Sequence, residues 1–459
     1  MAASSNSGSG NQVTQKQFAT GLGILMATLG SAVGLGNIWK FPYLTGSNGG
    51  AAFLIIYLVC TLVIGLPIMV TEQMIGRAGR GDAVASLKKV APGKLWWLIG
   101  AGGILAAFMI MAFYSEVAGW VFAYIFKSLS GGLLSTDPKV TSDAFSALIS
   151  NPAQSLIWQW VVLILTGGII MLGVTKGIES TTKKLMPLLT IMLIVVGIRS
   201  LTLPGASQGL TFLFNPDFSK VTFATVLTAM GLAFFKLSIG MGCMITYGSY
   251  YRDDQDIPAT ATRVVLSDLA ISMLAGIAIF PAVFAFGFEP AAGPSLLFIT
   301  IPAVFSSMPL GNVFMVIFFL LTAFAAIGAI LSLLEVITAF LENRFHLSRV
   351  KASLVTIIAL AIFGAPAALS NSTMANVKLF GKTFFDLYDF GSSNILLPVG
   401  GLFLAIYAGW VWGLPKFKEA LSNHGVIHNQ KFTKLLFFIL RFVTPPLVFI
   451  VLLSGLGVF

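Results

Sequence analysis

Long apolar stretches separated by short polar turns run along almost the whole chain. They lie near residues 18–45, 50–76, 97–128, 155–174, 185–203, 221–250, 264–288, 312–341, 352–369, 392–414 and 434–457. A bilayer core about 30 Å thick is crossed by roughly 20 apolar helical residues, so each stretch fits one crossing. The pattern predicts an all-α membrane protein with eleven transmembrane helices. Residues 1–17 read as an N-terminal tail and residues 18–459 as a single transmembrane domain. The turns are rich in Gly, Pro and Asn. Residues 1–12 are Ser/Gly/Asn-rich and lack the basic start of a cleaved signal peptide.

Two stretches are interrupted. The first carries Gly30-Ser31-Ala32-Val33-Gly34-Leu35-Gly36-Asn37, and the sixth carries Ser238-Ile239-Gly240-Met241-Gly242. Each glycine weakens a helix by roughly 1 kcal/mol relative to alanine. Within lipid, a broken helix is tolerated where its freed backbone groups face a cavity or ligand. Close helix packing through small residues is the alternative for either segment alone. The breaks fall five helices apart, as a 5+5 inverted repeat predicts, and point to a site between helices one and six.

Composition agrees with the pattern. The chain is 57% apolar and only 10% charged, with a mean hydropathy of +0.92, whereas soluble domains carry roughly 25% charged residues. Its net charge of +10 has a topological explanation. With a cytoplasmic N-terminus, 19 of the 27 basic residues fall at the inner face and six outside, while Lys40 and Lys236 lie within helices. This bias sets the N-terminus in the cytoplasm and removes any need for a nucleic-acid partner. Cys60 and Cys243 sit inside apolar stretches and imply no disulfide. No nucleophile–base or metal-ligating constellation marks an enzyme.

The motifs are specific. GSAVGLGNIWKFPY from Gly30 to Tyr43, Asn48-Gly49-Gly50, Lys176-Gly-Ile-Glu179, Ser238 to Gly242, Ile245 to Tyr250, Asp254-Gln-Asp256 and Ala339-Phe-Leu-Glu342 resemble the neurotransmitter:sodium symporter family in its own order. The bacterial amino-acid transporters are the nearest type, and the handling of a substrate between inverted repeats is carried over from them. The resemblance implies a multi-pass protein of the bacterial cytoplasmic membrane. It implies a substrate site of Ser31, Gly34, Gly36, Ile110, Tyr114, Phe235, Ser238, Met241, Ala329 and Leu333. Amides near Gly34 and Gly36, with Tyr114, would hold an amino-acid carboxylate. Carbonyls near Ser31, Phe235 and Ser238 would hold its ammonium. Glycine at position 34, where monoamine members carry aspartate, favours a free amino acid. The apolar pocket with flexible Met241 favours a large hydrophobic or aromatic side chain.

Departures from the family pattern concern the ions and gates. The first sodium site keeps Ala32 and Asn37, but Lys236 and Asp268 replace two polar ligands. Leu232 replaces a chloride-binding glutamine, while Tyr57 and Ser272 fit that site. The second sodium site keeps carbonyls at Gly30, Val33 and Ala325, but Gly328 and Ala329 replace a hydroxyl pair. A hard cation needs more oxygen ligands than remain. The expectation is weak or absent sodium coupling, with Lys236 standing in for a sodium ion. The outer gate reads Lys40 and Asp389, the inner gate Gln15 and Asn343. Glu72 matches a structural acid of the family, and Glu116 is an unassigned acid on helix three. The leading reading is a secondary transporter of a neutral hydrophobic or aromatic amino acid by alternating access. An ordinary sodium-coupled symporter and an amino-acid sensor are the alternatives. Partners are a small amino acid and membrane lipid, without an organic cofactor, and the oligomeric state is left open.

Overall fold

A computed structural model describes residues 17–288 and 296–458. The first membrane helix is split into α1 (Gly21–Ala32) and α2 (Gly36–Ser47), bent by 48° at the break. There follow α3 (Ala51–Gly79), the short α4 (Ala83–Val90) and the long α5 (Trp97–Leu129). Next come α6 (Pro138–Ile149), α7 (Pro152–Met171), α8 (Val174–Leu201) and α9 (Ala206–Phe214). The second break separates α10 (Phe223–Lys236) from α11 (Cys243–Ser249). The remainder comprises α12 (Ile257–Ala285), α13 (Thr300–Ser306), α14 (Gly311–Phe345), α15 (Arg349–Ala368), α16 (Phe384–Leu421) and α17 (Gln430–Gly455).

Nine of these helices are long and apolar enough to cross a membrane among the described residues, and α1 with α2 makes a tenth candidate. At 1.5 Å per residue, the 14-residue α10 reaches only about 21 Å and cannot cross alone. Large apolar side chains point outward from the bundle, including Ile164, Ile191, Ile198 and Ile362. A water-facing surface would not carry apolar patches of that extent; a bilayer-facing one must.

Local chemistry places the breaks. Thr20 caps α1 by accepting the Gly23 amide at 2.9 Å. The helix ends when Val33 turns extended, at ψ 94°. At the other break, Ser238, Gly240 and Gly242 all take positive φ (52°, 80° and 76°). Glycine is required at 240, because an added Cβ would lie 2.6 Å from the Leu397 carbonyl oxygen of α16. Ser238 has no such freedom, and a non-glycine residue held there marks strain fixed by its surroundings. The Glu72 carboxylate of α3 accepts the Gly240 amide at 2.6 Å and so pins the unwound segment. α5 and α14 pack against each other, and α1 lies on α14 and α8 while α11 lies on α3. Both cysteines are buried and unpaired.

Candidate functional site

The two breaks face each other across one cavity. All ten residues assigned to substrate by resemblance line it, together with Ala32 and Lys236. Its volume is about 20 Å³, roughly that of one water molecule. An amino-acid side chain can enter only if the surrounding helices part. Leu35 donates its amide to the Tyr114 hydroxyl at 2.8 Å, and the Gly34 amide reaches Asn37 Oδ1 at 3.3 Å. Across the cavity, Ser238 Oγ donates to the Ser31 carbonyl at 2.7 Å, and Ser31 Oγ donates to Ser332 Oγ at 2.8 Å. A side chain at position 34 has no room: its Cβ would sit 2.8 Å from the Tyr114 hydroxyl and 2.9 Å from Ala329 Cβ.

Charge in the site is concentrated in one buried pair. Lys236 Nζ lies 3.0 Å from Asp268 Oδ2, with both side chains fully buried. The ammonium also donates to the Tyr57 hydroxyl at 2.9 Å and to Ser272 Oγ. An ammonium has three donors, and three acceptors meet it. The Phe41 and Tyr57 rings lie 5.0 and 4.9 Å from Nζ, adding cation–π attraction. Lys236 ends α10, where helix carbonyls favour a cation. Its carboxylate partner is tied to the cavity through Asn37: Nδ2 donates to Asp268 Oδ1 at 2.7 Å and to Ser272 Oγ at 3.1 Å. A chain of bonds therefore runs from Lys236 through Asp268 and Asn37 to the Gly34 amide. The ammonium itself reaches Tyr57 and Ser272, the pair that the resemblance assigns to a chloride site, and Lys236 is also among the residues lining the cavity.

Where the resemblance places a second ion, α1 and α14 touch. A Cβ added to Gly328 would lie 2.7 Å from the Gly30 carbonyl oxygen, and Val33, Ala325 and Ala329 are buried beside them. At one end of the bundle, Lys40 Nζ is 3.5 Å from Asp389 and 4.0 Å from the Phe235 ring centroid. Ser393 also bonds Asp389, at 2.8 Å. At the opposite end, Asn343 donates to Asp82 Oδ2 at 3.1 Å; Gln15 lies outside the described residues. Glu116 is turned away from the cavity and accepts the Trp120 indole N–H at 3.1 Å.

The sequence reading missed the principal ion-pair network of that end. Arg349 binds Glu335 through two nitrogens and Glu342 at 3.1 Å, while the Tyr250 hydroxyl donates to Glu335 at 2.5 Å. Phe18 closes over this network, its amide bonded to the Tyr250 carbonyl at 3.1 Å and its ring packed edge-on against Tyr247 and Tyr250. Glu179 ties down the start of α1 by accepting the Ala19 amide at 2.7 Å and the Thr20 hydroxyl at 2.9 Å. A lone acid at 335 within an apolar run was the available signal, since a buried charge demands a partner.

Two broken helices around a cavity in a membrane-spanning bundle are the architecture of secondary transporters. The sequence matches the model of the sodium:neurotransmitter symporter family over residues 15–147 and 144–459, and the chain belongs to that family of sodium-dependent membrane transporters. It is 40% identical over 442 residues to YhdH, an uncharacterized sodium-dependent transporter of Bacillus subtilis strain 168 (96% of this chain, 98% of the relative). It is 36% identical over 457 residues to an uncharacterized sodium-dependent transporter of Haemophilus influenzae (97% and 99%). The crystal structure of MhsT in complex with L-phenylalanine superposes with a TM-score of 0.89 at 43% identity, covering 96% of this chain and 99% of that one.

Proposed function

We propose that this protein carries a neutral hydrophobic or aromatic amino acid across the bacterial cytoplasmic membrane by alternating access, with Lys236 supplying the positive charge of the first sodium site. The observation that carries this reading is the fully buried Lys236–Asp268 pair, bonded through Asn37 to the Gly34 amide. In this reading α10 and α11 form an eleventh span, the breaks relate two inverted halves, and the N-terminus is cytoplasmic. The amides at Gly34 to Gly36 and the Tyr114 hydroxyl receive the carboxylate; the Ser31, Phe235 and Ser238 carbonyls receive the ammonium. Ile110, Met241, Ala329 and Leu333 surround the side chain. MhsT is seen with L-phenylalanine, in keeping with that choice. Lys40 with Asp389 closes the outer mouth, and Asn343, paired with Asp82, belongs to the inner closure.

Substrate class is tested by binding across the twenty amino acids. Leu, Met, Phe and Trp should rank above Asp and Lys, and a best ligand lacking a carboxylate would sink the assignment. Coupling is tested by uptake into proteoliposomes with sodium replaced by potassium or choline. An ion coupled to substrate must tighten its binding reciprocally. Substrate affinity should therefore change less than about tenfold on adding sodium at constant ionic strength, where tenfold corresponds to about 1.4 kcal/mol. The second reading is an ordinary sodium-coupled symporter, favoured by the sodium-dependent relatives. Tightening of tenfold or more decides for it.

A further inference from the structure

A cleft of about 550 Å³ opens on the flank of the bundle between α5 and α16. Its walls are apolar: Leu98, Ile99 and Gly102 of α5 face Leu396, Val399 and Phe403 of α16. At its mouth stand Lys94 and Trp96. Lys94 is exposed, as are Lys88 and Lys89 at the end of the neighbouring α4. No acidic side chain pairs with any of the three among the described residues. Lys88 Nζ lies 5.1 Å from the Trp97 ring centroid, beside the cleft mouth.

We propose that this cleft binds an anionic phospholipid, with the phosphate held by Lys94, Lys88 and Lys89 and an acyl chain lying along α5. The charge and the shape point to the same occupant. A chain-sized apolar slot on a bilayer-facing flank selects a hydrocarbon tail, and three uncompensated ammonium groups select a negative headgroup at one end of it. Trp96 and Trp97 stand beside those lysines, and indole favours the membrane–water boundary. Basic clusters next to membrane helices attract anionic headgroups, each lysine contributing roughly a fivefold factor in affinity. The site also has a route to the transport machinery. Gly400, in the cleft wall, packs so closely on the break of helix six that an added Cβ would lie 2.8 Å from the Gly240 carbonyl oxygen. A bound tail braces α16 against the unwound segment.

The test uses the full chain, delipidated in detergent, with phosphatidylglycerol, phosphatidylcholine or glycerol phosphate added. Retained lipid is read by native mass spectrometry and stabilisation by the melting temperature. Phosphatidylglycerol should be retained and should raise Tm; phosphatidylcholine and glycerol phosphate should do neither. Changing Lys88, Lys89 and Lys94 together to Gln should weaken phosphatidylglycerol binding on the order of 100-fold. Gly102→Phe plugs the cleft without a clash at its Cβ, which meets nothing within 4 Å. It should abolish retention while amino-acid binding stays at the wild-type level, which also shows that the variant is folded. Undiminished retention in either variant overturns the proposal. So does stabilisation by glycerol phosphate equal to that by the lipid, which would mean a soluble anion site. A plug that alters the oligomer mass while lipid retention holds would make the face an interface between copies.

Discussion

Lys236→Met is expected to weaken substrate binding by 100-fold or more. An uncompensated buried charge costs about 3–5 kcal/mol, and a substrate carboxylate arriving at the Gly34 amide would add a second negative charge that no ammonium offsets. Here the buried charge is Asp268, fully enclosed and 2.7 Å from the Asn37 amide nitrogen. Asn37 in turn orients the Gly34 amide, so loss of the ammonium is felt at the backbone groups proposed to take the carboxylate. In the proposed reading Lys236 is a positioning residue and a fixed counter-charge. The three acceptors around its ammonium do not include any group assigned to the substrate. Asp268→Asn leaves the mirror defect, an unpaired buried ammonium, and should be comparably severe. The double variant Lys236→Ser with Asp268→Asn removes both charges and restores the family's polar ligands. It should be milder than either single change and should bring sodium dependence with it. The measurement is substrate affinity of all three variants with and without sodium. Wild-type affinity in Lys236→Met would leave the lysine a purely structural partner.

Much of this arrangement could be read from the order of residues. The apolar runs at 50–76 and 97–128 became Ala51–Gly79 and Trp97–Leu129, because bilayer-length hydrophobicity has few other outcomes. Both breaks lie where the glycines cluster, since backbone freedom is a local property. α16 begins at Phe384 rather than near 392 because Asp386 and Asp389 interrupt the apolar signal that the helix itself ignores. α6 and α9 were not visible because they are short and amphipathic, and α13 because its seven residues, six of them buried, are too few to read as a crossing. Of the cavity lining, Ser31, Gly34, Gly36, Ser238 and Met241 lie in the two glycine-rich motifs, whereas Ile110, Tyr114, Phe235, Ala329 and Leu333 were reached only through the family resemblance. The pairings were not legible. Asn343 bonds Asp82, 261 residues away, and the ammonium of Lys236 turns to Tyr57 and Ser272. Composition and spacing say that a buried charge needs a partner; only the packing of distant helices says which.

The closing network at the other end of the bundle supplies the second large effect. Arg349→Met should strongly destabilise the protein, on the scale of 3–5 kcal/mol, since it strands Glu335 in the interior. Glu335 lies on α14 with no exposed side-chain surface, and Arg349, at the start of α15, reaches it with a forked contact. Such two-pronged geometry belongs to guanidinium, so Arg349→Lys should recover only part of the loss. Tyr250 joins α11 to the same carboxylate, and α11 follows the break of helix six. The network thus ties this half-helix to two unbroken ones. Glu335→Gln combined with Arg349→Met takes away both charges and should regain most of the stability. That variant should nevertheless open more readily at this end, because the remaining neutral bonds have roughly half the strength of charged ones. Melting temperature reads the first effect, and the rate at which a cysteine placed at Phe18 reacts with a water-soluble maleimide reads the second. A double variant as unstable as Arg349→Met alone would show that packing of the arginine stem, rather than its charge, holds α14 and α15 together.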